Sequence, residues 1–218
     1  MKPNKKLGDI FTTTFIGLER DVLAIAENGD IKEEDHITAT LFTLARERIN
    51  KLSDDNQAVT HGLQITARQF NGRGRNSDES FIGADGAVGL RVKLGGVEIQ
   101  KFCIFQAKKA TQKKFDQHAA NQRELMLRCT PDSFFLVYSP KDIKFLSAFL
   151  VEKDDKFADL PAKSFASFNQ DFFNCFIGDH FFGFPDLPYR HPWRYLPYDY
   201  PTAKNNLIIE VSDEERKA

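Results

Sequence analysis

With 218 residues, 41% apolar and 28% charged, the chain matches one globular domain large enough to bury its own core. Thirty basic against 31 acidic side chains leave a formal charge of −1. That excludes coating of nucleic acid by bulk positive charge but leaves room for a local basic groove, because phosphate contacts act at short range. Three scattered cysteines with no CxxC or Cys/His cluster argue against a zinc site, and no long apolar run follows the basic N-terminus. A signal peptide or membrane span is therefore not expected, and a cytoplasmic location is.

Residues 7–26 place Phe11, Phe15, Leu18, Val22 and Ile25 at helical spacing, and Asn28-Gly29-Asp30 ends the pattern. A second helix is expected over 32–52, with Ile37, Leu41, Leu44, Ala45 and Ile49 as its apolar stripe. Alternation predicts a strand over 63–70, and the Gly- and Arg-bearing segment 71–78 reads as an exposed, mobile loop. Strands over 84–94 and 97–107 flank Gly95-Gly96, a hairpin turn that makes them antiparallel. A helix over 112–128 follows, carrying Phe115, Ala119, Gln122 and Leu125 on one side, then strands over 134–138 and 144–151. The order of elements implies an α/β core with a central mixed sheet flanked by helices. That core spans about 30–151, inside a single domain covering 1–218.

Beyond it, 152–218 reads as an ordered aromatic- and proline-rich C-terminal extension, with a helix near 164–176 and a frayed tail from 212. The 21 phenylalanines suit an aromatic core, helped by a subunit interface whose expected surface is the Phe-rich stretch 165–184.

The chemically informative segments are Gly83-Ala84-Asp85 and Gln106-Ala107-Lys108. Side chains alternate along a strand, so Gln106 and Lys108 share a face and Ala107 takes the other. Counted from the turn, Asp85 lies about as far back as Gln106 lies forward, so antiparallel pairing sets them nearly opposite. A carboxylate and an amide oxygen are hard donors suited to Mg²⁺ (Mn²⁺ as substitute), which completes its shell with waters and phosphate oxygens. A lysine two residues on serves an attacking water or the charge developing on phosphorus.

These segments, within the order helix, hairpin, helix, strand over about residues 32–151, resemble the PD-(D/E)XK nuclease superfamily with its restriction-endonuclease-like fold. The Gln-x-Lys form is similar to Mrr-like and phage-defence nucleases. The chain departs from the family pattern in lacking a proline before Asp85 and in carrying glutamine at the second acidic position. The resemblance implies metal ligation by Asp85 and Gln106 and assistance to the nucleophile by Lys108. With one carboxylate in that trio, a second is expected from Glu34, on the core-facing stripe of the second helix, or from Glu79. Glu34 also suits a first-turn dipole role, and Glu79 an exposed loop.

Arg73 and Arg75, with Lys109, Lys113 and Lys114 at the start of the following helix, are the candidate phosphate contacts. Gln122 has either a site role or that of a buried amide. The five histidines are isolated, and none is assigned a role.

The resulting expectation is a Mg²⁺-dependent endonuclease acting on DNA in anti-phage defence or restriction. The resemblance implies a homodimer, because two sites cut a duplex, and a defence system adds an activating or sensor protein. The alternatives are a non-catalytic nucleic-acid- or protein-binding module on the same fold, and a secreted antibacterial nuclease toxin.

Overall fold

The computed structural model describes residues 5–27, 34–55, 63–69, 78–94, 97–112, 114–173, 178 and 206–209. For some of these, including Glu34 and Glu79, it describes the backbone but not the side chain.

Two helices lead, α1 (Lys5–Glu27) and α2 (Glu34–Asp55). Strand β1 (Leu63–Gln69) and a short helix α3 (Asp78–Ile82) follow. The hairpin consists of β2 (Gly86–Leu94) and β3 (Val97–Lys109). Helix α4 (Gln117–Cys129) then leads to β4 (Ser133–Tyr138) and β5 (Ile143–Ser147). The chain continues through β6 (Ala162–Ser164) and α5 (Phe165–Phe173) to β7 (Asn206–Ile209).

Among the described residues the strands form one sheet in the order β6-β5-β4-β3-β2-β1-β7. Only β3 and β4 pair in parallel; every other neighbouring pair is antiparallel. A parallel pair needs a crossover, and α4 supplies it. The fold is therefore α/β with a mixed sheet flanked by helices, as the order of elements predicts.

The sheet is covered on both faces. Cys103, Phe105 and Ala107 of β3 pack with Phe134, Leu136 and Tyr138 of β4 beneath α1, α2 and α5. On the other face Phe102, Ile104, Phe135 and Val137 meet Ala119 and Met126 of α4. All six residues of β4 are buried, and Phe134 to Tyr138 give the continuous run of large side chains expected of a strand covered on both sides.

The phenylalanines fill this core. Phe168 of α5 stacks on Phe145 with ring centroids 3.7 Å apart and meets Phe134 edge-on at 4.9 Å. Each such pair adds about 0.5–1.5 kcal/mol beyond the apolar area it buries. Phe165, Phe168, Phe172 and Phe173 are thus committed to the interior. The expectation that the stretch from Phe165 onward forms a subunit surface is corrected for these four, because α5 turns its apolar face onto the sheet. Most of the remainder of that stretch lies outside the described residues.

Other differences have local causes. The helix expected from 112 begins at Gln117, because the Asp116 carboxylate caps it by accepting from Ala119 N at 2.8 Å. Phe115 precedes the helix and plugs the core between Phe135 and Phe157. The strand expected over 144–151 stops at Ser147 in a 3₁₀ turn whose carbonyls accept from the Arg123 guanidinium. Asp78, expected as the last residue of the loop, instead begins the helix Asp78–Ile82. Gly95, Gly96 and 71–77 lie outside the described residues.

Helix α1 is anchored by polar contacts at its edges: Asp21 pairs with Arg48 of α2, and half-buried Glu19 accepts from Ile143 N at 2.9 Å. No described helix is long and apolar enough to cross a membrane.

Burial raises the carboxyl pKa of Glu19 above its ordinary 4.5, opposed by the Ile143 hydrogen bond and reinforced by Asp142. A group whose folded pKa exceeds its unfolded value binds protons better when folded, so it costs stability as pH rises through that window. Glu19→Gln keeps an acceptor for Ile143 N and removes the charge. We expect the variant to be more stable than wild type in urea at pH 7, with the difference vanishing below about pH 4.

Candidate active site at the end of the central hairpin

The β2–β3 register runs from Leu94↔Val97 to Gly86↔Phe105, which sets Asp85 against Gln106. Asp85 N donates to Phe105 O at 2.8 Å, extending the ladder one residue past β2. The Asp85 side chain then takes over. Its Oδ2 accepts from Ala107 N at 2.7 Å and from Gln106 Nε2 at 2.7 Å. One carboxylate oxygen therefore holds the end of β3 by its backbone and by a side chain.

The turn into Asp85 depends on Gly83. It ends α3 at φ +74°, a left-handed conformation in which glycine is favoured. A Cβ there would lie 2.4 Å from Gln122 O and 2.9 Å from Leu125 Cβ, so α3 is pressed against α4 with no room for a side chain. Half-buried Asp85 is delivered to the strand end by this contact.

Gln106 is 3% exposed and Lys108 is 5% exposed. Both share strand parity with Phe102 and Ile104 and so belong to the α4 face of the sheet, as the alternation predicts. Gln106 Nε2 is used, but its Oε1 is buried without a hydrogen-bond partner among the described residues. An unsatisfied buried acceptor costs about 1–3 kcal/mol, which marks this atom for explanation. No ion pair joins Lys108 to an acidic group among the described residues.

The helper carboxylates are placed only by backbone. Glu34 starts α2, whose Ile37 and Leu41 pack on the face opposite Gln106 and Lys108. One turn further on, Thr38 Oγ1 and the Tyr138 hydroxyl lie 3.2 Å apart, and Tyr138 pairs with Lys109. The N-terminal part of α2 thus reaches the end of the sheet where Lys108 sits, although its buried stripe faces away. Glu79 lies on α3, just ahead of Gly83. The side chains of both glutamates lie outside what is described.

Among the described residues no three or more His, Cys, Asp or Glu side chains are grouped to hold a metal ion. The available donors are the Asp85 carboxylate and Gln106 Oε1. They fit Mg²⁺ in kind, since this ion takes few protein oxygens and keeps waters and substrate phosphates in the rest of its shell. The orphaned oxygen is the feature that a cation would satisfy.

Of the phosphate-contact candidates, Lys109 is half-buried at the end of β3 and Lys114 is exposed, while Arg73, Arg75 and Lys113 lie outside the described residues. Lys114 precedes α4 rather than starting it, because the Asp116 cap intervenes. It forms a β-bridge with Lys156, which sequence spacing gives no means of finding at a separation of 42 residues. Gln122 is buried on the α4 face of the core, within the same layer as Gln106.

Cysteine chemistry is excluded at the two described thiols. Burial pushes Cys103 far above its ordinary range and Cys129 up to about 12, so neither is a thiolate at neutral pH. His36 and His118 are exposed, and the other histidines lie outside the described residues.

Comparison of the chain with protein-family models, with curated proteins and with solved structures gives no match.

Gly83→Ala is expected to cost about 2 kcal/mol or more, because the left-handed backbone and the Gln122 carbonyl both oppose a methyl group. Urea denaturation measures it; a change below about 0.5 kcal/mol would show that α3 does not fix Asp85 in this way.

Proposed function

We propose that the chain is a Mg²⁺-dependent endonuclease that hydrolyses DNA phosphodiester bonds, built on a restriction-endonuclease-like core with a C-terminal extension. The observation that carries this reading is the Asp85–Gln106 contact, with its buried, partnerless Oε1, on the same strand face as Lys108. A half-buried carboxylate, a buried amide oxygen and a largely buried lysine at one strand end are costly for the fold alone, and a ligand bringing both a cation and a phosphate answers all three.

Asp85 and Gln106 would hold the cation, which when bound supplies a polarised water and neutralises charge on the phosphoryl oxygens. The remaining work belongs to this chain. Asp85, fixed by Ala107 N, orients the donor set. Lys108 places an ammonium beside the phosphoryl group, where negative charge grows as water adds to phosphorus and one P–O ester bond breaks. Lys109, Lys114 and Lys156 hold the flanking backbone as point charges. Glu34 or Glu79 completes the ligand set. A homodimer would cut both strands, and the resemblance to restriction and phage-defence nucleases supports an effector role in bacterial defence.

One observation favours a second reading. By accepting from Ala107 N and Gln106 Nε2, the Asp85 carboxylate already closes the hairpin end, a structural role that a non-catalytic binding module also needs.

Incubation of supercoiled plasmid with Mg²⁺ and the wild type, Asp85→Asn or Lys108→Ala distinguishes the two. Cleavage by wild type that falls about 100-fold or more in each variant supports catalysis. Equal cleavage by all three would remove the site assignment, and an inert wild type that still binds DNA would favour the module.

A further inference from the structure

Gln106 presents the wrong end of its carboxamide to serve as a cation ligand. Its Nε2 faces Asp85 Oδ2 at 2.7 Å, while Oε1, the only atom of the group able to ligate a cation, is buried without a hydrogen-bond partner. Electrostatics dictates this arrangement when no cation is present. An amide oxygen set against a carboxylate repels it, whereas the N–H donates to it. The same carboxylate that should share the cation therefore holds Gln106 in the non-ligating orientation.

We propose that Gln106 is a cation-coupled amide switch. Entry of a divalent cation beside Asp85 turns the carboxamide by half a rotation, exchanging Nε2 for Oε1. The proposal rests on the cation-dependent reading above and deepens it by assigning Gln106 two states.

The rotation needs no backbone movement, since the two ends of the amide are nearly the same size and Gln106 stays paired with Phe135 of β4. It satisfies the orphaned oxygen, gives up the Nε2 hydrogen bonds to Asp85 and Ala107 O, and moves the NH₂ into the buried position Oε1 held, all of which weaken cation binding. Glutamine at this position thus acts differently from glutamate. Gln106→Glu would have no hydrogen bond to surrender and would add a charge. Without a cation, however, it would set two carboxylates at hydrogen-bonding distance, where they cannot both ionise freely. In the wild type the amide keeps the empty site stable at the expense of affinity.

The test uses the full chain labelled with ¹⁵N, with the Gln106 side-chain NH₂ signals identified by their loss in Gln106→Met. On titration with MgCl₂ these signals are expected to shift, because Nε2 leaves the carboxylate for the buried position that Oε1 held. Calorimetry should show Mg²⁺ binding roughly tenfold or more tighter for Gln106→Glu than for wild type, and lost in Asp85→Asn. Thermal unfolding of Gln106→Glu should fall below wild type without Mg²⁺ and rise above it at saturation.

If Mg²⁺ binds in an Asp85-dependent manner while the Gln106 NH₂ signals stay in place, the switch is overturned and the cation site stands. Binding by Gln106→Glu no tighter than wild type has the same meaning. If neither protein binds Mg²⁺, the switch falls together with the cation-dependent reading.

Discussion

Strand β3 is covered on both faces, and the candidate site follows from that constraint. Period-two alternation sends Cys103, Phe105 and Ala107 into one layer of the core and Phe102, Ile104, Gln106 and Lys108 to the other. A one-residue slip against β2 would exchange the two sets, burying the amide and the ammonium among α1, α2 and α5 and driving two phenylalanines out of place. The apolar residues of β3 therefore hold the register that keeps Gln106 beside Asp85. The geometry of the candidate site and the core packing are set by the same pairing and cannot vary independently.

The three polar groups at the end of the hairpin are each handled differently. The Asp85 carboxylate is satisfied by two donors, one of them backbone, which also replaces the ladder bond lost where β2 begins. Gln106 is half satisfied. Lys108 is 5% exposed on the α4 side, and lysine can bury its stem while its ammonium stays solvated. Gln122 Oε1, in the same layer, is the other buried side-chain oxygen without a hydrogen-bond partner among the described residues, so incomplete pairing is concentrated on the α4 side of the sheet.

Much of this was legible in the sequence because it depends on short-range periodicity. The hairpin, its parity and the opposition of Asp85 to Gln106 need only a turn and a count of residues. The stripe Ile37, Leu41 and Ala45 placed α2 against a core. What sequence could not supply came from capping and from contacts between distant segments. Asp116 moved the start of α4 by accepting from Ala119 N, an alternative to the helical signal read from Gln112 onward. The short α3 was hidden because five residues carry too little periodicity to declare a helix. Phe165, Phe168, Phe172 and Phe173 were expected at a surface because aromatic content is equally suited to an interface; the packing of α5 on Phe134 and Phe145 assigns these four to the interior. Lys156 joins Lys114 through a bridge that no local pattern encodes.

The hydrogen bond from Ile143 to Glu19 spans 124 positions, whereas the Gln106–Asp85 contact spans 21. These separations imply an order of assembly during synthesis. At roughly 5–20 residues per second, α1 leaves the ribosome on the order of ten seconds before the strand that receives it. The hairpin can close during that interval, because nearby segments meet with little loss of chain entropy. The nascent chain would thus hold the two halves of its site together while one face of the sheet is still bare. Docking of α1 and later α5 would then seal a geometry already set.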